Sequence, residues 1–498
     1  MTWMNRRDLC AWLAAGTVLG ADPRSGRLQA AGRAAPSVAR ENDLPGARDW
    51  MLGKTEIDPA ARYRCPAIEG FAEPCSVLPG GSVLLRASTR EADRVSVQIF
   101  RLGFYDGAGG RRVHEAGPLA CRPHPVPQAG PRRLMRCDWP VLLAWRIPPD
   151  AVSGVYLAKF ASEATGVESY AIFIVRDERP ADIVFQCSDF TWQAYNRWPS
   201  QYSLYDDGRQ PWYWGGESQV SFDRPYGKYC QVVDAPLSIG SGEFLLWEFP
   251  FAYWLEAQGY DVAYISNLDT HRSPDALVRA RAVLSVGHDE YWTSDMFRHM
   301  QQAVAGGVSL GFFSGNAVCG RVLWDEATRS LRRVGVFGPP GGTREFQAMD
   351  SLPHERPYAH ELVGAHSTGP VTGGADWACT LPEHWAFAGT GMRAGEAIPG
   401  LVGWEWHGDP APIPGLEILS TGPTQSGPGE PNGGQYTATV YPGPKGNIVF
   451  NASTIWWGDG LSEPPGYVRP AVYAAPQGPD RRVQQITANV LSRMLAGG

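Results

Sequence analysis

A chain of 498 residues, 43% hydrophobic and 19% charged, has the composition of an ordered globular protein and the length for two or three domains. Its formal charge of −7, with no basic run, excludes the usual electrostatic footprint of nucleic-acid binding. No apolar stretch approaches the roughly 20 residues that a membrane-spanning helix needs.

Residues 1–40 read as a processing segment. Asn5-Arg-Arg-Asp-Leu9 precedes the apolar run 10–21, and small residues recur through Ala35, the pattern of a twin-arginine export signal. The expectation is a periplasmic or otherwise exported protein that crosses its membrane already folded. A disordered, Ala-rich extension on a cytoplasmic protein is the alternative. Cys10 falls in this leader. Cys65 with Cys75, and Cys121 with Cys137, are close enough in sequence to pair in an oxidising compartment. No C-x-x-C occurs, which argues against a cysteine zinc site.

Residues 41–178 read as all-β, an immunoglobulin-like β-sandwich. Apolar or alternating runs of strand length fall at 81–89, 94–101, 153–160 and 168–175, separated by Gly/Pro turns. From 179 to 498 the rhythm changes to strand, loop and helix, which predicts a doubly wound α/β domain. Strands are expected at 182–186, 261–265, 282–286 and 308–313. Helices are expected at 244–258, with Pro250 as a kink, and at 294–304, capped by Thr293 or Ser294. The first of these strands should open into a long polar and aromatic loop. All four deliver polar residues to one edge, where open α/β sheets place their ligands. Residues from about 340 to 440 are Gly/Pro-rich with weak periodicity and read as loop-rich insertions. A hairpin at 436–441 and 446–451 and a closing helix over 481–495 complete the domain.

The chemistry concentrates in Gly287-His-Asp-Glu-Tyr-Trp292. Either His288 and Glu290 cap the next helix and pair locally, or they supply a metal ligand with a general base beside it. Tyr195 and Tyr205 lie in the loop that leaves the first α/β strand. Tyrosine is a poor ligand for zinc, but a ferric ion can hold it as phenolate. Equally, with Trp192, Trp198, Trp212 and Trp214 nearby, the two could pack the loop or form a platform for sugar rings. Asn316 follows Gly315 at a strand end, either orienting a substrate carbonyl or a water, or serving as a turn residue. Gly307-Val-Ser-Leu-Gly311 fits G-x-S-x-G, yet Ser309 falls inside a strand without the strand-to-helix elbow of a serine hydrolase. No G-x-G-x-x-G follows the first α/β strand, which counts against a nicotinamide cofactor.

Ile68-Glu-Gly-Phe-Ala72, Phe100-Arg-Leu-Gly-Phe-Tyr-Asp-Gly107, Trp192-Gln-Ala-Tyr-Asn196, Val286-Gly-His-Asp-Glu-Tyr-Trp292, Gly400-Leu-Val-Gly-Trp-Glu-Trp406 and Val449-Phe-Asn-Ala-Ser-Thr-Ile-Trp-Trp457 together carry a resemblance. From about residue 41 onward, the chain resembles the large (β) subunit of N,N-dimethylformamidase and its bacterial relatives. The resemblance implies a metal-dependent amide hydrolase with a mononuclear iron, on a domain similar to class I glutamine amidotransferases (flavodoxin-like). Two tyrosines and a glutamate hold the iron in that family. Carried over by motif, Glu290 matches the carboxylate ligand, Tyr195 one tyrosine and Tyr205 the other, with Tyr202 and Tyr226 as rivals. His288 matches the nearby histidine, assigned as base or proton shuttle, and Asn316 a substrate-orienting asparagine. The nucleophilic cysteine of amidotransferases has no counterpart. The expected cofactor is iron(III), with zinc second, and the expected substrate a small amide or related C–N compound. A homo-oligomer or a small accessory subunit is the partner to look for. Two other readings stand beside this one: an exported glycan- or polymer-binding protein, and a non-hydrolytic amidotransferase-like scaffold without metal.

Overall fold

A computed structural model describes residues 37–56, 63–209, 213–227, 238–340, 352–368, 373–427, 430–469 and 478–496. The leader read at 1–40 lies almost wholly outside them, as do Trp212 and Cys230. These described residues form one compact unit.

The N-terminal part builds two sheets. Ile68–Glu73, Ser82–Thr89 and Val141–Arg146 make an antiparallel three-stranded sheet. Ser76–Val77, Glu168–Val175, Gly154–Ser162, Asp93–Leu102 and Gly110–Cys121 make a five-stranded one, antiparallel except where Ser76–Val77 joins. Alternation places Val83, Leu85, Val95, Val97 and Ile99 in one buried core. The four strands expected from the sequence are present. Gly110–Cys121 escaped notice because it is a sheet edge: most of its residues are not buried, and Arg111, Arg112, His114 and Glu115 interrupt any apolar pattern. The expected cysteine pairs do not form. Cys65, Cys75, Cys121 and Cys137 are all free, and Cys121 donates to the Ala87 carbonyl instead.

The second part is organised on a nine-stranded sheet. Five of its strands are parallel: β1 (Ile183–Cys187), β2 (Val262–Ser266), β3 (Ala282–Gly287), β4 (Ser309–Ser314) and β5 (Ile448–Asn451). Their spatial order is 2-1-3-4-5, so the direction of winding reverses between β1 and β3. All five are buried along their full length and therefore read as continuous apolar runs.

Beyond β5 the sheet continues antiparallel through Glu430–Pro442, Glu417–Gly427, Gly374–Ala378 and Ala397–Gly403. Much of the stretch read as loop-rich insertions is thus sheet. Bulges at Ala375/Trp377, Ile418/Ser420 and Pro423/Gln425 reset the two-residue period, and that is why the alternation is faint in the sequence.

Two further expectations change. The stretch after β1 is not a loop but a short helix, α1 (Asp189–Tyr195). The single kinked helix at 244–258 is two helices, Phe244–Trp247 and α2 (Phe249–Gln258), broken at Glu248. Pro250 sits in the first turn of α2, where its missing N–H costs nothing. The helices α3 (Ser294–Gly306) and α4 (Arg481–Ala496) match expectation.

A buried ion pair joins the two parts. Arg101, from the five-stranded sheet, donates to Glu256 of α2 at 2.9 and 3.0 Å. Glu256 also accepts from Asn42 at 2.7 Å and from Tyr264 of β2 at 2.8 Å. Removing one member leaves a desolvated charge without its counter-ion. Glu256→Ala should therefore lower unfolding stability by about 3–5 kcal/mol in urea titration; a loss under about 1 kcal/mol would show that the pair is not the cement between the two parts.

Candidate functional site at the sheet edge

Three strands and one turn bring the site together at the carboxyl edge, beside the β1–β3 reversal. β1 leads into α1, whose last residue is Tyr195, and Tyr205 follows in the next turn. β3 ends at Gly287, which has φ +69; a Cβ there would come within 2.7 Å of the Trp247 Cβ. Only glycine turns the chain this tightly against Trp247. The next three side chains separate. Asp289 turns inward and accepts from Gln186, Ser285 and Asn267 at 2.7, 2.9 and 3.1 Å. His288 and Glu290 meet in the site. They do not cap α3: Thr293 does, accepting from the Met296 N–H at 3.2 Å.

Glu290 is the hub. Its Oε2 accepts from the Tyr195 hydroxyl at 2.6 Å, and the Tyr205 hydroxyl lies 3.3 Å from both carboxylate oxygens. Tyr205 Oη is 2.5 Å from Tyr195 Oη and 2.5 Å from Tyr291 Oη. His288 Nε2 is 3.3 Å from Glu290 and 3.0 Å from Glu405, while its Nδ1 faces Glu243 at 3.4 Å. Asn316, held at φ +50, donates to Glu405 Oε2 at 3.2 Å. All these side chains are buried. The loop after β3 is tied to α1 by Thr191, whose hydroxyl accepts from the Glu290 N–H at 3.0 Å and the Tyr291 N–H at 3.2 Å.

The rivals for the second tyrosine have other partners. Tyr202 lies under the Arg133 guanidinium, 4.4 Å from ring centroid to Cζ, and Tyr226 packs edge-on against Trp192. Trp192 and Trp198 are buried, so they present no platform to a sugar ring. Ser309 lies inside β4 with its hydroxyl bonded to the Met494 carbonyl, which removes it as a nucleophile.

Electrostatics follow from burial. Desolvation pushes the phenols of Tyr195 and Tyr205 well above their ordinary value, and the Glu290 charge reinforces it. A cation among them would invert that preference. Burial opposes a charge on His288, yet Glu405, Glu243 and Glu290 together hold its imidazole well above the usual range. Burial raises Glu405, partly offset by His288.

Two donor sets share Glu290. One is all oxygen: Tyr195, Tyr205 and Glu290, whose O–O distances of 2.5–3.3 Å suit ligands that share one ion at about 2 Å. The other is His288, Glu290 and Glu405, with donor atoms within 4.8 Å of one another. Glu405, Glu243, Tyr291 and Arg333 were not singled out from the sequence. Glu405 sits inside one of the motifs quoted above and Tyr291 adjoins Glu290; Glu243 and Arg333 carry no local signal.

A family model described as "N,N-dimethylformamidase beta subunit-like, C-terminal" matches residues 96–469. No curated protein sequence matches the chain. A solved family 123 glycoside hydrolase from Clostridium perfringens is 10% identical over 56% of this chain, with a TM-score of 0.10. The chain spans about half of that protein, 49%, and a likeness this slight carries no argument. Among the described residues no helix is long and apolar enough to cross a membrane.

Two outcomes check this geometry. Thr191→Val strands two buried N–H groups and should cost about 1–3 kcal/mol in denaturant unfolding; an unchanged midpoint would contradict the tether. Asp189, in the first turn of α1, is pushed by burial from 3.8 up to about 8. The folded chain then keeps a proton that the unfolded chain loses, so this stability is present at low pH and is lost as pH rises from about 4 to 8. Asp189→Asn should flatten the fall of Tm across that window; an unchanged slope would remove Asp189 as its source.

Proposed function

Because the chain belongs to the N,N-dimethylformamidase beta subunit-like family, we propose that it is an iron(III)-dependent hydrolase of small amides or related C–N bonds. The observation that carries this reading is the convergence of two phenols and one carboxylate, all buried, within 2.5–3.3 Å of one another. An all-oxygen set that includes two phenols is chemistry for a hard trivalent ion; the His288–Glu290–Glu405 set would suit a divalent ion such as zinc.

Tyr195, Tyr205 and Glu290 would hold the ion. Bound there, it would supply a Lewis acid that polarises the amide carbonyl and lowers the pKa of water. The chain's own residues then divide the proton work. Glu405, 3.0 Å from His288, accepts a proton from the attacking water, and the imidazole passes one to the departing nitrogen. The C–N bond breaks, water's oxygen joins the carbonyl carbon, and the products are a carboxylic acid and an amine. Glu243 holds the far side of the imidazole at 3.4 Å and fixes its orientation. Asn316 holds Glu405.

The same reading takes the 2-1-3-4-5 parallel sheet as a flavodoxin-like domain, which places ligands at the strand-order reversal. It takes the two N-terminal sheets as an immunoglobulin-type sandwich. Export through residues 1–40 would deliver the protein with its ion already loaded. A small accessory subunit, or a second copy of the chain, is the expected partner.

The purified protein should carry iron and show a visible tyrosinate-to-iron band, absent in Glu290→Ala. Loss of the shuttle in His288→Ala should leave the band and cut turnover of N,N-dimethylformamide or a similar amide by about 10²–10⁴-fold. A colourless, metal-free protein with full activity would overturn the proposal.

A further inference from the structure

Behind the proposed ligands lies a guanidinium whose surroundings are unusual for a buried cation. Arg333 comes from the strand Ser330–Val336 and is 0% exposed. Among the described residues no carboxylate pairs with it. Its hydrogen bonds run to the Tyr213 carbonyl at 3.3 Å and to Tyr291 Oη at 2.6 Å, and its Nε has no hydrogen-bond partner among the described residues. Three rings surround its Cζ: Tyr205 at 4.6 Å, Trp214 at 5.2 Å and Tyr291 at 5.3 Å. A desolvated cation with no carboxylate in direct contact, Glu290 acting on it only from beyond the tyrosines, is costly to bury. Its position behind Tyr205 therefore calls for a reason.

Hydrogen-bond polarity supplies one. Arginine can only donate, so Tyr291 Oη must accept from it. The single hydroxyl proton of Tyr291 is then directed at its other oxygen neighbour, Tyr205 Oη, 2.5 Å away. Tyr205 in turn faces Tyr195, and Tyr195 donates to Glu290. From Arg333 to Glu290 the donors all point one way, toward the place where the metal would sit.

We infer that Arg333 and Tyr291 are positioning residues for the metal centre: they hold a hydrogen-bond donor against the Tyr205 oxygen and so set its strength as a ligand. This rests on the metal-centre reading above. A phenolate that accepts such a bond holds its electrons more tightly, which moves a ligand-to-metal charge-transfer band to higher energy and strengthens binding through correct orientation. Neither residue touches substrate.

The test is to load wild-type, Tyr291→Phe, Arg333→Lys and Tyr202→Phe protein with Fe(III) and to record visible spectra and iron affinity. Tyr291→Phe removes one hydroxyl and should shift the band to longer wavelength, with iron binding about 10–100-fold weaker. Arg333→Lys keeps the charge but loses the two-pronged donor and should shift the band in the same direction. Tyr202→Phe, outside the cluster, should match wild type. If Tyr291→Phe and Arg333→Lys both keep the wild-type band and affinity, the relay is wrong while the metal centre stands. Should wild-type protein itself show no band, the metal-centre reading falls, and the relay falls with it.

Discussion

Crowding buried oxygen donors around one carboxylate is the constraint on which the rest of this structure depends. Glu290 has two phenols and an imidazole within 3.3 Å, all of them buried. Desolvation alone would disfavour every charge there. The fold nevertheless holds the groups together through fixed backbone devices. Thr191 anchors the amides of Glu290 and Tyr291, and Gly287 allows the turn before them. A second layer of charge, His288 between Glu405 and Glu243 and Arg333 behind Tyr205, surrounds the hub.

The position of this cluster follows from topology. Parallel strands aim their carboxyl ends at one edge, and where β1 and β3 lie side by side their connections leave in opposite directions. The crevice between them receives Tyr195 from one side and His288 and Glu290 from the other. β4 adds Asn316. The antiparallel extension brings Glu405 from the far end of the same sheet, through the turn between Ala397–Gly403 and Trp406–Pro410. The stretch that looked like decoration in the sequence thus completes the centre.

Local signals made part of this legible. The parallel strands are short apolar runs that end in polar residues, and α3 and α4 carry helical spacing and clear stops, so their bounds came out within a few residues. Tyr195, Tyr205, His288 and Glu290 were marked by residue type and by the family resemblance, and they do converge. The misses have physical causes. The stretch 189–195 reads as a loop because it is buried on every face and shows no amphipathic stripe. The sheet extension hides behind bulges. Cysteine spacing says nothing about whether thiols face one another, and the expected pairs stayed free. Glu243 and Arg333 act through partners 45 and 42 residues away, a distance at which no spacing rule operates.

Anomalous diffraction at the iron edge from crystals of the iron-loaded protein tests the central claim most directly. A single peak within bonding distance of Tyr195 Oη, Tyr205 Oη and the Glu290 carboxylate is the predicted result. A peak held by His288 and Glu405 with both phenols turned away, or no peak at this edge of the sheet, would contradict it.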